Sequence, residues 1–89
     1  MKITPQLEQY QNDNIRLCGI FAARFQQLKS ESGLSLPQIA DILGISRQSV
    51  VYYTMADRIP GAPILVSIAT MFNTSVDYLL GLTDVRHRL

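Results

Sequence analysis

The chain has 89 residues, which is enough for one domain with a single modest core and too few for two. Hydrophobic residues make up 47% of it and charged residues 17%, so the composition favours a folded chain over a disordered one. The formal net charge of +1 excludes the strongly basic balance that would by itself indicate nucleic-acid binding. Any such function must come from the arrangement of the residues.

Cysteine, histidine and glycine usage gives no indication of an active site. Cys18 is the only cysteine, so no internal disulfide or multi-cysteine metal site is possible, and a buried or half-buried structural thiol is expected. His87 is the only histidine, with no companion metal ligands and no nearby nucleophile to activate. The five glycines are scattered singly and form no phosphate-binding loop. We therefore expect no enzyme activity, cofactor, metal or small-molecule substrate.

Apolar runs in the sequence are short. The longest are far below the roughly 20 residues that a membrane span requires, so no membrane partner is expected. Residues 1–6 lack the apolar run and the cleavage site of a signal peptide. These features predict a soluble protein of the cytoplasm.

The first third of the chain has helical periodicity. Thr4 can cap a helix that starts at Pro5, and Gly33 fits the position that closes it. Apolar residues recur between them at spacings of three, four or seven: Leu7, Tyr10, Leu17, Phe21, Phe25 and Leu28. Residues 12–14 (Asn-Asp-Asn) are weak helix formers, so either one helix runs from about 5 to 31, or a short helix ends near 12 and a second follows. We favour the break, with a helical extension at 1–14, a domain at 15–84 and a tail at 85–89.

A short helix and a glycine turn come next. Ser35 can cap this helix, with Gln38 at the capping-box spacing and Pro37 in the first turn. Its inner face comprises Ile39, Ala40 and Leu43. Gly44 ends the helix, and Ile45 follows as a buried plug. A second short helix directly after such a turn is the helix-turn-helix signature.

That second helix begins at an N-cap candidate, Ser46, and covers residues 47–53. Val50 and Tyr53 share a face with Ile45 and are expected to pack inward. The outward-facing residues are Arg47, Gln48, Val51 and Tyr52, with Ser49 at the border between the two faces.

The remainder of the chain predicts two more helices. Residues 57–63 contain two prolines and a glycine and predict a loop. A fourth helix then follows from the spacing of Ile64, Leu65, Ile68, Ala69 and Phe72. It stops around Asn73, and Ser75 caps a last helix over 76–80 that Gly81 ends. With no strand signal, these patterns predict an all-α domain of four short helices after an amino-terminal helical segment.

The order and spacing of these elements resemble a known family. The matching residues are Gly33-Leu34-Ser35, Ile39-Ala40-Asp41-Ile42-Leu43-Gly44-Ile45-Ser46-Arg47, Val50, Tyr53, Pro60, the helix 65–72, and the ending Val76-Asp77-Tyr78-Leu79-Leu80-Gly81-Leu82-Thr83-Asp84. From about Phe21 to Asp84 the chain is similar to the lambda-repressor/Cro-like (XRE) family of helix-turn-helix transcriptional regulators. The resemblance implies a compact five-helix DNA-binding domain. It further implies a homodimer on a two-fold symmetric operator, in a bacterial or phage cytoplasm.

The resemblance also implies which side chains read bases. In this family the amino-terminal residues of the third helix face base edges of double-stranded DNA in the major groove. Positions matching Arg47, Gln48 and Tyr52 commonly touch bases. Arg47 can donate two hydrogen bonds to guanine, Gln48 can pair with adenine, and Val51 is placed to meet a thymine methyl group.

Three further residues are candidates for the DNA backbone. Ser46 and Ser49 could bind phosphates or base edges, and Arg58 in the following loop is placed for a phosphate. Two alternatives stay open here, since Ser46 can be only an N-cap and Arg58 only a solvated loop charge.

Three positions depart from the family pattern. Leu36 stands where the family usually has a glutamine that contacts phosphate, so it either packs inward or offers a surface to a protein. Lys29 and Thr54 stand where many relatives have an ion pair. Ala56 stands where a glycine usually follows the third helix, so the loop has a different shape or the helix runs longer. Together with the low net charge, these departures predict a modest affinity for the DNA backbone.

An alternative function is a protein-interaction or antitoxin-like module with weak DNA binding. The apolar residues that could serve it are Leu7, Tyr10, Leu36, Leu79, Leu80 and Leu82. Core packing is the simpler explanation for all of them, so we favour the regulator.

Overall fold

A computed structural model of the chain describes the backbone of residues 5–86 and the side chains of residues 14–86. This part of the chain contains five helices and no β-strand: α1 (Pro5–Ser32), α2 (Leu36–Leu43), α3 (Arg47–Thr54), α4 (Ala62–Met71) and α5 (Val76–Leu79). The all-α fold expected from the sequence is confirmed. None of these helices is both long and apolar enough to cross a membrane.

The first helix is continuous, so the expected break at residues 12–14 is wrong. Weak helix formers cost at most roughly 0.7 kcal/mol each relative to alanine. A break would create two new helix ends with unpaired backbone N–H and C=O groups, and it would require a second nucleation. Helix α1 begins at Pro5 as predicted, while Thr4 and the side chains of Leu7 and Tyr10 lie outside the described residues. The boundary at residue 14 therefore stays a prediction and coincides with no helix end.

The other helix ends follow the local signals in the sequence. Ser35 and Gln38 form a complete capping box at the start of α2, and Ser75 Oγ accepts a hydrogen bond from Tyr78 N at the start of α5. Gly33 and Gly44 have φ angles of 73° and 68°, the left-handed conformation that glycine adopts at no steric cost.

Helix α4 starts earlier than expected. It begins at Ala62 instead of Ile64, because Pro63 is tolerated in a first turn, where its missing N–H costs nothing. The helix ends at Met71, and Asn73 follows in a left-handed conformation with a φ of 52°.

The hydrophobic core joins all five helices around α1. Its buried members are Phe21, Phe25, Leu28, Ile39, Ala40, Leu43, Val50, Tyr53, Ile68, Ala69, Tyr78 and Leu79. The ring of Phe21 stacks on Phe25 with centroids 5.6 Å apart and meets Tyr53 edge-on at 6.2 Å. Ile45 packs against this core as expected, but it is half-buried and not fully buried.

The carboxy-terminal segment runs along α1 in the same direction as the helix. Gly81, with a φ of 78°, comes so close that a Cβ there would lie 2.8 Å from Cγ2 of Ile20. Further along, Arg86 pairs with Glu31 near the end of α1. His87 lies outside the described residues.

Arg24 fastens this segment to α1. Its Nη1 atom donates hydrogen bonds to the carbonyl oxygens of Tyr78 (2.6 Å) and Thr83 (2.7 Å). The guanidinium also lies 4.1 Å from the centroid of the Tyr78 ring, and Nη2 is 3.0 Å from Oδ1 of Asp84. A planar guanidinium can satisfy these partners together because its donors are held in a fixed fork.

Replacing Arg24 by alanine is expected to lower the free energy of unfolding by about 2–3 kcal/mol, because two charge-assisted hydrogen bonds are lost. Urea denaturation followed by circular dichroism measures this change. Asp84→Ala is the matched control, since it removes only the exposed partner and should leave the unfolding midpoint almost unchanged. Equal midpoints for the two variants would contradict the role of Arg24.

Candidate nucleic-acid interface

A tight turn connects α2 to α3. The left-handed Gly44 ends α2, and the N–H of Ile45 returns to the carbonyl of Ala40 at 3.1 Å. Ser46 then caps α3, so residues 44–46 are the whole connection between the two helices. This is the helix-turn-helix arrangement expected from the sequence.

The amino terminus of α3 is held by two serines. Oγ of Ser46 accepts a hydrogen bond from the backbone N–H of Ser49 at 3.1 Å, and the two hydroxyl oxygens are 3.0 Å apart. Ser46 is therefore the N-cap of α3, one of its two expected roles. Contact of either serine with a phosphate stays a prediction.

The two faces of α3 separate largely as the sequence predicts. Val50 and Tyr53 are buried in the core and hold the helix in place. Arg47 and Gln48 are exposed in its first turn. The remaining side chains of α3, Ser49, Val51, Tyr52 and Thr54, are half-buried, so Val51 and Tyr52 are less exposed than expected.

Tyr52 and Arg58 are brought together, a pairing that the sequence analysis missed. The Cζ atom of Arg58 lies 4.2 Å from the centroid of the Tyr52 ring. Tyr52 and Arg58 are six positions apart, and the chain between them leaves the helix. Their contact depends on the path of the loop after α3, so no helical spacing in the sequence predicts it. Arg58 is thus an exposed side chain that contacts the Tyr52 ring, and its contact with a phosphate stays a prediction.

The loop after α3 contains an alanine in a left-handed conformation. Ala56 has a φ of 60°, and the N–H of Asp57 returns to the carbonyl of Tyr52 at 3.3 Å. Helix α3 ends at Thr54, one residue beyond the expected range, and the backbone at Ala56 keeps a conformation that favours glycine.

The other two departures from the family pattern lie in one groove. Leu36 is half-buried against the core, so it packs inward and cannot make the amide contact of a glutamine. Its neighbours around this open groove of about 380 Å³ are Gln26, Lys29, Ser30 and Thr54. The Gln26 side chain donates to the carbonyl of Thr54, so an uncharged hydrogen bond joins α1 to the end of α3.

A second open groove, of about 480 Å³, lies between α1 and the loop after α3. It is lined by Asn14, Ile15, Cys18, Ala56, Asp57, Arg58 and Ile59. Cys18 is half-buried there, which confirms one of the two expected environments for this thiol. Among residues 14–86, no group of three or more His, Cys, Asp or Glu side chains is placed to hold a metal ion.

Most of the apolar residues that could serve the alternative protein-interaction function pack within the domain. Leu79 is fully buried, and Leu36 and Leu80 are half-buried. Only Leu82, at 72% exposure, is an open apolar side chain among the members of that set that the structure describes.

Comparison with known proteins identifies the family. Residues 26–79 match a family model described as Helix-turn-helix, which is more than half of the chain. The chain belongs to the XRE family of helix-turn-helix transcriptional regulators. This family consists of DNA-binding regulators and is not a class of enzymes. The family predicted from the residues of the turn and of the carboxy-terminal ending is confirmed.

Three relatives come from Bacillus subtilis (strain 168). The chain is 35% identical to the uncharacterized HTH-type transcriptional regulator YobD over 65 residues, which are 73% of this chain and 58% of YobD. It is 30% identical to the uncharacterized regulator YqaE over 61 residues (68% and 53% of the two chains) and 34% identical to the HTH-type transcriptional regulator AnsR over 58 residues (65% and 50%). The chain thus spans just over half the length of the curated relatives it matches. No solved structure matches it.

Ala56→Gly is expected to stabilise this XRE-family domain by about 1 kcal/mol, because glycine adopts a positive φ without the Cβ clash that an L-residue suffers. Thermal unfolding followed by circular dichroism measures the change. The control is Ala23→Gly, the same substitution at an exposed position inside α1, where it should destabilise by about 1 kcal/mol. Destabilisation by both substitutions would show that Ala56 is not strained.

Proposed function

We propose that the protein is a sequence-specific transcriptional regulator that places α3 in the major groove of DNA. The observation that carries this proposal is the exposure of Arg47 and Gln48 in the first turn of a helix whose other face is locked into the core by Val50 and Tyr53. A helix held in this way presents its first turn to base edges on a backbone with little conformational freedom left to lose.

The proposed base contacts follow from the donor and acceptor groups. Arg47 donates two hydrogen bonds to O6 and N7 of a guanine, and Gln48 pairs with N6 and N7 of an adenine. Val51 meets a thymine methyl group. The resemblance to the family also places Tyr52 among the base-contacting positions, but the contact of its ring with Arg58 favours a different role for it.

The proposed backbone contacts come from Ser46, Ser49 and Arg58. Both serine hydroxyls lie at the amino terminus of α3, where backbone N–H groups and the helix dipole also favour a phosphate. Only Arg58 brings a full positive charge to this set, so salt dependence of binding should be shallow for each protomer. A homodimer on a two-fold symmetric operator would offset the weak backbone contacts by linking two such sites.

The matched relatives are bacterial, which supports a bacterial or phage setting. We propose that the protein acts in the cytoplasm of such a cell, on the chromosome.

Arg47→Ala and Gln48→Ala are each expected to weaken binding to a duplex selected from a random pool by ~1–3 kcal/mol and to relax the preference at one base pair. Fluorescence anisotropy with the selected duplex and its single-base variants measures both effects. Gln27→Ala is the control for Gln48, since it removes an amide that is also exposed, from α1. If neither substitution in α3 alters binding while the protein stays folded, the groove-reading proposal fails.

Two-fold symmetry is tested separately. Sedimentation velocity should show a dimer on the selected duplex, and the selected sequence should contain inverted half-sites about 10 base pairs, or a multiple of that, apart. A monomer at all concentrations, together with a selected sequence that has no inverted repeat, would rule out the dimeric operator complex and leave the reading of a single site in place.

A further inference from the structure

The contact between Tyr52 and Arg58 joins the last turn of α3 to the loop that follows it. The guanidinium carbon is 4.2 Å from the ring centroid, which is the geometry of a cation–π contact. The Tyr52 side chain is half-buried, whereas Arg58 is exposed. The ring is therefore the fixed partner, and the guanidinium is the group that it holds.

The backbone also brings Arg58 back towards α3. The left-handed Ala56 reverses the chain, and the N–H of Asp57 donates to the carbonyl of Tyr52 at 3.3 Å. Beyond Arg58, the half-buried Ile59 and the buried Pro60 fix the loop against the core. Arg58 thus has an anchored residue on each side, and the direction of its side chain is set by the stack.

The guanidinium of Arg58 keeps its hydrogen-bond donors available. Stacking uses the face of the group and leaves the N–H bonds at its edge to bind an anion. Among the described side chains, no carboxylate forms an ion pair with Arg58, and that includes its neighbour Asp57. A phosphate oxygen can therefore accept from it without first displacing an acidic partner.

We infer that Tyr52 is a positioning residue, whose ring holds the guanidinium of Arg58 beside α3 for a DNA phosphate, and that it does not read a base. This inference rests on the proposed function. A free arginine side chain loses much rotamer freedom when it binds, and a stacked one has lost part of that freedom already. The guanidinium also occupies one face of the Tyr52 ring, so that face cannot stack on a base.

The stack can be tested first without DNA. Ring currents of Tyr52 should shift the NMR signals of the Arg58 side chain upfield in the free protein, and Tyr52→Leu should abolish that shift. Tyr52→Phe should keep it, because the phenyl ring has the same face. Arg58 signals that are the same in the wild-type protein and in Tyr52→Leu would overturn the inference without touching the proposed function.

The second test measures binding to the selected duplex at several salt concentrations. Arg58→Ala should lower the slope of log K against log salt by about 0.9, the value for one phosphate contact. Tyr52→Leu should weaken binding by roughly two- to fivefold, as expected from the strength of an exposed cation–π contact. Tyr52→Phe should bind like the wild-type protein, and the double variant Tyr52→Leu/Arg58→Ala should bind no more weakly than Arg58→Ala alone.

The preferred DNA sequence of each variant distinguishes a residue that positions Arg58 from a residue that contacts a base. Tyr52→Leu should leave the preferred sequence unchanged, whereas Arg47→Ala should relax it at one base pair. The control in the same loop is Met55→Ala, which removes an exposed side chain outside the stack and should leave affinity and slope unaltered.

Besides unchanged NMR signals of Arg58, three results of the binding experiments would overturn the inference while the proposed function stands. They are a loss in Tyr52→Phe as large as that in Tyr52→Leu, additive losses in the double variant, and a changed base preference in Tyr52→Leu. The first of these would assign the phenolic hydroxyl a direct contact with DNA. A wild-type protein that binds no duplex at low salt would overturn the proposed function and this inference together.

Discussion

The packing of α3 against α1 is the constraint on which the rest of this structure depends. Tyr53 reaches from α3 to the edge of the Phe21 ring, and Val50 lies beside it with no exposed surface. A helix of only eight residues is marginal by itself, so its stability and its direction come from these buried side chains. Because these buried side chains prevent α3 from rotating about its axis, its exposed first turn has a single orientation relative to the rest of the domain.

The domain combines a well-packed core with few positive charges in and around α3. Arg47 and Arg58 are the arginines of α3 and of the loop that follows it. At the start of α2 stands the apolar Leu36, which packs against the core. Affinity in such a protein has to come from accurate placement of a few donors more than from counterion release. If the protein binds DNA as proposed, small features of the loop after α3, namely the left-handed Ala56 and the stacked Arg58, would therefore affect binding.

Much of the fold could be predicted from the sequence because its signals are local. Gly44 and Ser46 mark the turn through backbone conformation and capping, which need only neighbouring residues. Residues 12–14 have weak helix propensities, but helix cooperativity outweighs them, so α1 is continuous where local propensity predicts a break. The partners of Arg24 lie 54 and 59 positions away, and no local pattern indicates which carbonyl groups a distant arginine will meet. The contact of Arg58 with Tyr52 could not be predicted for a related reason, because it depends on the conformation of the loop between them.

The position of the carboxy-terminal segment on α1 has a practical consequence. Gln26 and Cys18 mark the side of α1 that faces α3 and its loop, whereas Ile20 and Arg24 mark the side that carries residues 81–86. At 100° per residue these two sides of the helix are nearly opposite. Arg86, the last described residue, therefore lies on the far side of α1 from α3. If α3 binds DNA as proposed, a fluorophore or an affinity handle attached at this position would lie on the opposite side of α1 from the DNA.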